Sequence, residues 1–461
     1  PHGWNECVKC CAAKSATNEL YELRIKNDGR AFLKDAVFTR PGLPECLSAR
    51  PRITALSGEA AHDSNGAFRG AARQPVESSM LFYFSQFLQQ QAAGTAWAEF
   101  VSPLRVFRYV TFRSAGAAIT ALLLSLWLGP KVIAWLKQLK FGQHYSDKAE
   151  EGGGLAMRVL SKRGTPTMGG ILIVLVLDLA VLLWAQLNAL ILLTLLSLIV
   201  LAGLGFYDDY MKITQQNSRG TRSRVKLWVQ FALALFIGVY LWLLPETKTL
   251  ITEVMVPFVK QSVLTSAGPV GLVLTVLTIM GSSNAVNLTD GLDGLAVGCT
   301  LIVASVFLVF TYVAGNFRFA EYLQIPFVPG ASELTVFCAA MIGAGLGFLW
   351  FNCHPAQVFM GDTGSLALGG VLGIIAVLIH QPLVLVIAGG VFVAEAASVM
   401  LQTAWFKYTR RRTGVGQRIF LMAPLHHHFE KKGWYESQVV IRFYILCFLC
   451  AVVALSTLKL R

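Results

Sequence analysis

The chain has 461 residues, of which 55% are hydrophobic and only 14% are charged, and its mean hydropathy is +0.57. Soluble proteins carry about 25% charged residues. This composition therefore excludes an ordinary soluble domain and predicts an all-α, polytopic integral membrane protein. The net charge of +13 is not gathered into a basic stripe on a polar surface, so we expect no nucleic-acid partner.

Residues 1–79 differ in composition from everything that follows. They are polar, with scattered Gly, Pro and Arg and no clear periodicity, and the apolar sequence begins at Met80. We interpret 1–79 as a non-matching polar extension, either upstream or unstructured sequence, and 80–461 as a ten-helix membrane domain. An accessory domain in 1–79 is the alternative.

Ten apolar segments follow, each close to the roughly 20 residues that a helix needs to cross a bilayer. We predict the spans at 115–136, 168–187, 189–207, 226–244, 269–285, 295–314, 334–351, 363–380, 382–404 and 440–458. Two nearly continuous pairs, 168–207 and 363–404, are interpreted as tight helical hairpins. Their breaks lie near Gln186–Asn188 and Gln381–Pro382.

The distribution of Lys and Arg predicts the orientation of these spans. Lys and Arg are concentrated in the loops 129–167, 206–226 and 404–440, whereas the loops 245–268 and 315–333 contain only three such residues. Short loops rich in Lys and Arg face the cytoplasm. We therefore expect the first set of loops to be cytoplasmic.

Four polar clusters stand at the ends of the predicted spans, all on the predicted cytoplasmic side. They are the segments 206–212, 284–294, 359–365 and 424–430. Charged groups at membrane depth are costly and are retained mainly for function. Acidic groups gathered on one face indicate a divalent cation and a phosphate-bearing substrate.

The first cluster contains Asp208 and Asp209 at the end of the third span. Two adjacent carboxylates at a helix C-terminus meet an unfavourable dipole and each other's charge, and a cation relieves both. The alternative is a solvated loop with two acids by chance. If the helix continues by one turn, Lys212 lies on the same face and either binds phosphate or pairs with Asp208.

The second cluster offers Asn284, Asn287, Asp290 and Asp293 among glycines, a set suited to a base or ribose; the alternative is an Asx/Gly turn. In the third cluster, Asp362 precedes a predicted helix, where it is either an N-cap or part of a phosphate site.

The fourth cluster is the run His426–His428, of which at most two side chains can meet one ligand. Histidine binds pyrophosphate oxygens or transfers a proton near neutral pH, and surface histidines are the alternative.

The basic turn 162–170 either holds a phosphate or only satisfies the positive-inside rule. Glu395 and Gln402 are expected to face the bundle interior, and nothing in the sequence explains Asp178.

Taken together, these motifs closely resemble the phospho-N-acetylmuramoyl-pentapeptide-transferase family. The resemblance runs from about Met80 to Arg461 and rests on the segments 162–170, 206–210, 284–296, 355–370 and 422–430. It implies transfer of phospho-N-acetylmuramoyl-pentapeptide from UDP to undecaprenyl phosphate, giving lipid I and UMP in peptidoglycan synthesis. It also implies Mg²⁺ as cofactor, a bacterial inner membrane, a cytoplasmic active site and possible homodimerisation.

The resemblance assigns roles to individual residues. The catalytic positions are Asp208, Asp209, Asp362, His426 and His427. Asp208 is the base or the nucleophile, which leaves one-step and covalent two-step mechanisms open, and the metal positions are Asp362 and Asp209. The substrate-binding positions are Lys162, Thr167, Lys212, Asn287, Asp290, Asn352, Phe359 and Gln402. The segment 409–416 is longer than the family usually shows.

Three other functions are weighed against this interpretation. A related polyprenyl-phosphate N-acetylglucosamine-phosphate transferase shares the acidic motifs but has a different histidine loop. A transporter of a phosphorylated solute is expected to show inverted repeats and midplane sites, which this sequence lacks. An intramembrane aspartyl protease requires Gly-x-Gly-Asp, and Phe359 stands where its first glycine belongs. Release of UMP distinguishes the transferases from the other two classes.

Overall fold

The structure, a computed structural model, describes residues 80–92, 97–139, 164–215, 220–245, 247–259 and 267–459. The extension 1–79 and the predicted substrate residue Lys162 lie outside the described residues. Within the described ranges the chain forms helices joined by loops. The helices are α1 Met80–Ala92, α2 Ala98–Val101, a 3-10 helix Ser102–Arg108, α3 Val110–Gln138, α4 Gly170–Trp184, α5 Ala189–Thr214, α6 Ser223–Leu243, α7 Thr249–Thr252, α8 Gly268–Thr289, α9 Leu295–Ala314, α10 Phe317–Leu323, α11 Ser332–Asn352, α12 Gly361–Leu378, α13 Pro382–Ala388, α14 Gly390–Thr413, α15 Leu425–Lys431 and α16 Glu436–Ser456.

The all-α, multi-pass expectation is confirmed. Among the described residues, eight helices are long and apolar enough to cross a membrane, and the bent pair α13–α14 brings the number to nine. The second predicted span corresponds to α4, which has 15 residues and is shorter than the others. Each of the ten predicted segments therefore has a helical counterpart, with boundaries that differ by up to nine residues.

The predicted ninth span, 382–404, is not one straight helix. It is divided into α13 and α14, whose axes differ by 84° at Gly389. Glycine lowers helix propensity by about 1 kcal/mol, and sharp kinks occur at such positions. The sequence Gly389–Gly390 thus explains a bend that hydropathy alone does not detect. Beyond the bend α14 continues to Thr413, nine residues past the predicted end.

Helix α12 is the centre of the bundle, and 89% of its 18 residues are buried. It packs against α5 on one side and α8 on the other. Gly205 of α5 faces the backbone of Asp362 and Thr363, where a Cβ atom would overlap main-chain atoms. The missing side chain allows the end of α5 to approach the start of α12 closely. This approach brings two of the polar clusters together.

A buried ion pair ties the other end of the bundle. Arg113, at the start of α3, donates from both terminal nitrogens to Glu333 at the start of α11, and both distances are 2.6 Å. Glu333 also accepts a hydrogen bond from the backbone N–H of Gln186 in the break between α4 and α5. Because α11 runs from this pair toward Asn352, the pair and the polar clusters lie at opposite ends of that helix.

Candidate active site

Three aspartates from two helices form the middle of the candidate site. Asp208 and Asp209 lie near the end of α5, and Asp362 lies in the first turn of α12. One carboxylate oxygen from each of the three lies within 4.8 Å of the others. Asp208 and Asp209 are almost fully buried. This is the concentration of negative charge that the sequence predicted.

Two lysines neutralise part of this charge. The Nζ atom of Lys212 lies 2.7 Å from Asp208 Oδ2 and 3.0 Å from Asp362 Oδ2. The Nζ atom of Lys226, at the start of α6, lies 2.7 Å from Asp208 Oδ2 and 2.6 Å from Asp362 Oδ2. Both ammonium groups therefore bridge the same two aspartates, and the predicted pairing of Lys212 with Asp208 is present.

Asp209 is held differently from its neighbour. Its Oδ2 accepts hydrogen bonds from the backbone N–H and the hydroxyl of Thr363, at 3.1 and 2.9 Å. Its Oδ1 is buried and has no hydrogen-bond partner among the described residues, and the Lys212 Nζ lies 3.8 Å away. A buried acceptor without a partner is costly. Magnesium prefers carboxylate oxygens, so the three-aspartate arrangement fits a divalent cation.

The end of α8 and the turn after it complete the acidic side of the site. Asn287 donates from Nδ2 to Asp362 Oδ1 at 3.0 Å and to the Ser365 hydroxyl at 2.8 Å. Asp290 lies beside the Gly361 backbone, close to the carboxylates of Asp362 and Asp209. Burial raises the pKa of Asp290 to about 7, and the nearby carboxylates of Asp362 and Asp209 add to the increase. Asn287 and Asp290 therefore lie beside Asp362.

The turn after residue 163 is joined to the segment that precedes α12. The Phe359 N–H donates to the Pro166 carbonyl at 2.9 Å, and the Gly169 N–H donates to the Phe359 carbonyl at 2.8 Å. These bonds bring Thr167 next to Gly361. The Thr167 hydroxyl is buried and, within the described residues, has no hydrogen-bond partner. Thr167 and Phe359 are thus adjacent to Asp362 through the backbone.

The histidine segment lies in α15 and is held by acids. The His426 N–H donates to Glu395 Oε1 at 3.1 Å, and His426 Nδ1 lies 3.3 Å from Glu395 Oε2. The other ring nitrogen, Nε2, faces Gly291. His427 Nδ1 is 2.7 Å from Glu430 Oε2. Burial lowers the pKa of His427, and the Glu430 carboxylate opposes that effect.

Comparison with known proteins agrees with these features. The family described as glycosyl transferase family 4 matches residues 191–380. A phospho-N-acetylmuramoyl-pentapeptide-transferase signature matches residues 162–174. The phospho-N-acetylmuramoyl-pentapeptide-transferase of Methylacidiphilum infernorum is 49% identical over 366 residues, which cover 79% of this chain and 98% of that protein. The enzyme of the same name from Opitutus terrae is 48% identical over 365 residues, with the same two coverages.

The chain belongs to the phospho-N-acetylmuramoyl-pentapeptide-transferase family. The expectation of a transferase of this family, drawn from the sequence motifs, is confirmed.

Two residues predicted to bind substrate in this transferase use their side chains to hold loops. Asn352 accepts from the Gly294 N–H at 3.1 Å and donates to the Val358 carbonyl at 2.8 Å. Gln402 accepts from the N–H groups of Ile419 and Phe420, both at 3.0 Å, and donates to the Phe420 carbonyl at 3.2 Å. Their substrate contacts stay predictions, and the structure adds a loop-holding role.

Sequence reasoning missed three contributors to the transferase site. Lys226 was counted only as a cytoplasmic positive charge, Thr363 was not considered, and Glu395 was placed in the bundle interior without a partner. Lys226 had one available signal, because it is a lysine in the first turn of a span that follows the acidic cluster. The contacts of Thr363 and Glu395 join residues 154 and 31 positions apart, and no local pattern reveals them.

Proposed function

We propose that this chain transfers phospho-N-acetylmuramoyl-pentapeptide from UDP to undecaprenyl phosphate, giving lipid I and UMP, at the cytoplasmic face of a bacterial inner membrane. The observation that carries the proposal is the convergence of Asp208, Asp209 and Asp362 with Lys212 and Lys226 at the ends of apolar helices. Family membership supplies the substrate class. A homodimer stays a prediction from the family resemblance.

Charge neutralisation is the main task of such a site, because phosphoryl transfer depends largely on positioning and electrostatics. We propose Asp362 and Asp209 as the ligands of Mg²⁺, which when bound would offset the charge that develops on the departing UMP. The free Oδ1 of Asp209 supports this assignment. The ammonium groups of Lys212 and Lys226 lie beside the same carboxylates and are suited to bind phosphate oxygens.

Asp208 is proposed to act directly on the lipid phosphate or on the sugar phosphate. Its Oδ1 accepts a hydrogen bond from the Thr221 N–H at 2.8 Å, which fixes the carboxylate, and its Oδ2 faces both lysines. An incoming phosphate held by the lysines would therefore arrive next to Oδ2. This position suits both a general base and a nucleophile.

The histidine segment is proposed to bind the pyrophosphate or to move a proton. His426 Nε2 is buried, faces Gly291 and has no hydrogen-bond partner among the described residues. Because Asp290 immediately precedes Gly291, His426 lies close to the acidic side of the site. On the opposite side of the ring, His426 Nδ1 lies 3.3 Å from Glu395 Oε2.

The test is release of UMP by the purified chain from UDP-N-acetylmuramoyl-pentapeptide, with undecaprenyl phosphate and Mg²⁺. Parallel reactions use Asp362→Asn and UDP-N-acetylglucosamine. We expect release from the muramoyl substrate alone and loss of release in the variant. Release from UDP-N-acetylglucosamine instead would assign the chain to the sister activity, and no release from either would reject the proposal.

A further inference from the structure

The turn formed by residues 290–294, called here the 290–294 turn, is held by side chains from other parts of the chain. The Asp293 N–H donates to Glu436 Oε1 at 2.9 Å. The Gly294 N–H donates to Asn352 Oδ1 at 3.1 Å, and the Tyr444 hydroxyl donates to the Gly294 carbonyl at 2.7 Å. Glu436 and Tyr444 both belong to α16. The turn is therefore fixed to α16 and to the end of α11.

The Asp293 side chain extends this connection to a third segment, residues 353–360, called here the 353–360 loop. Asp293 Oδ2 accepts from the Ala356 N–H at 3.2 Å and lies 3.1 Å from His354 Nδ1. His354 Nδ1 is also 3.7 Å from Glu436 Oε2. Asp293, His354 and Glu436 thus join the turn, the loop and the start of α16 at one point.

The burial of these groups indicates that the connection is specific. Asp293 and Glu436 are 4% and 6% exposed, whereas the His354 side chain is 48% exposed. Buried carboxylates are unfavourable unless hydrogen bonds or opposite charges compensate them. Here backbone N–H groups and the histidine supply such compensation, with the histidine at the solvent edge.

Both segments joined by this cluster lead directly into the candidate active site. Three residues before Asp293, Asp290 lies beside the Gly361 backbone and close to the Asp362 carboxylate. The 353–360 loop includes Phe359, whose N–H is hydrogen-bonded to the Pro166 carbonyl. Asp362 follows two residues after the end of this loop. A displacement at Asp293 is therefore transmitted to both Asp290 and Asp362.

We propose that His354 and Glu436, acting through Asp293, are positioning residues for the transferase reaction. They hold the 290–294 turn and the 353–360 loop in a fixed relative position. The inference rests on the proposed function and deepens it. Neither residue is required to touch the substrate. Their role is to keep the 290–294 turn and the 353–360 loop at a fixed separation.

The test compares His354→Ala, His354→Asn and Glu436→Gln in the full-length protein. In His354→Asn the amide nitrogen takes the place of Nδ1 and keeps the donor to Asp293, whereas alanine removes it. Misplacement by about 1 Å costs on the order of 100-fold in rate. We expect His354→Ala to lower kcat/KM by about 10- to 100-fold, mainly through a higher KM for the UDP-linked substrate. His354→Asn should restore most of the lost kcat/KM. Glu436→Gln keeps Oε1, so its kcat/KM should lie between those of the two His354 variants.

Glu333→Gln is the control for a purely structural effect, because it breaks a buried ion pair at the other end of α11. It should lower the midpoint of thermal unfolding and leave KM unchanged. UMP binding measured by calorimetry gives a readout without turnover, so an inactive wild type would reject the proposed function while the binding series still tests the positioning role. Wild-type KM and UMP affinity in His354→Ala, or no rescue by asparagine, would overturn the inference.

Discussion

Gly205 offers a sharp test of how the site is assembled. A Cβ atom added there lies 2.6 Å from the Thr363 Cα atom and still closer to the Asp362 carbonyl group. Ordinary van der Waals contact begins near 3.4 Å, so the Thr363 contact alone requires α5 and α12 to separate by about 0.8 Å, and the closer Asp362 carbonyl group requires more. The neighbouring atoms are backbone, which cannot rotate away as a side chain can.

The separation acts directly on catalysis, because Asp208 and Asp209 follow Gly205 on α5 and Asp362 is the residue contacted on α12. A misplacement near 1 Å costs on the order of 100-fold in rate. Overpacking costs about 1–3 kcal/mol of stability. We therefore expect Gly205→Ala to lose about 100-fold in kcat/KM with only a modest decrease in thermal stability.

Gly203 supplies the matched control two residues earlier in the same helix. A Cβ atom at Gly203 meets no other atom within 4 Å, and alanine favours a helix by about 1 kcal/mol over glycine. Gly203→Ala should keep wild-type activity and the same or greater thermal stability. Initial rates of UMP release and thermal unfolding would be measured for both variants. Equal kcat/KM in the two variants would refute the argument that close packing sets the aspartate geometry.

Three further predictions follow from other contacts. Lys226→Met removes a charge-assisted interaction worth about 1.5–3 kcal/mol and should lower kcat/KM by about 10- to 100-fold, whereas the exposed Lys248→Met should not change it. Burial lowers the pKa of His380 to about 4. Between pH 6.5 and 4 only the unfolded state binds this proton, so acidification to pH 5 should remove about 2 kcal/mol of stability. The unfolding midpoint of His380→Asn should therefore depend less on pH than that of the wild type. Glu333→Gln leaves the buried Arg113 without its carboxylate partner, so the free energy of unfolding should fall by about 3–5 kcal/mol. Thermal or denaturant unfolding would measure this decrease. The Mg²⁺ dependence of activity should not change.

The sequence predicted the features that depend on local composition. Apolar runs of sufficient length gave all ten helical segments, and the distribution of Lys and Arg placed the four polar clusters on one side of the membrane. The bend at Gly389 escaped this reasoning because the flanking residues remain apolar on both sides. A hydropathy average does not register a change of direction.

The side-chain partnerships were much less accessible from the sequence. Lys226 and Asp362 are 136 residues apart and meet only when α5, α6 and α12 are packed together. The sequence predicts that Asn352 and Gln402 contact substrate, which stays a prediction; the structure shows that their amides also complete the hydrogen bonding of loop backbone. Amide side chains suit both uses equally, because each provides one donor group and one acceptor. Only the packed structure shows which backbone groups lie within reach.

The contacts of the two lysines suggest how one set of residues can serve the site before and after substrate binding. In the structure, Lys212 and Lys226 compensate the carboxylates of Asp208 and Asp362. In the proposed reaction, a diphosphate would bring negative charge that competes for the same ammonium groups, and a divalent cation held by Asp362 and Asp209 would compensate the carboxylates that the lysines release. Because the cation and the diphosphate each remove the charge imbalance that the other creates, their binding should be mutually favourable.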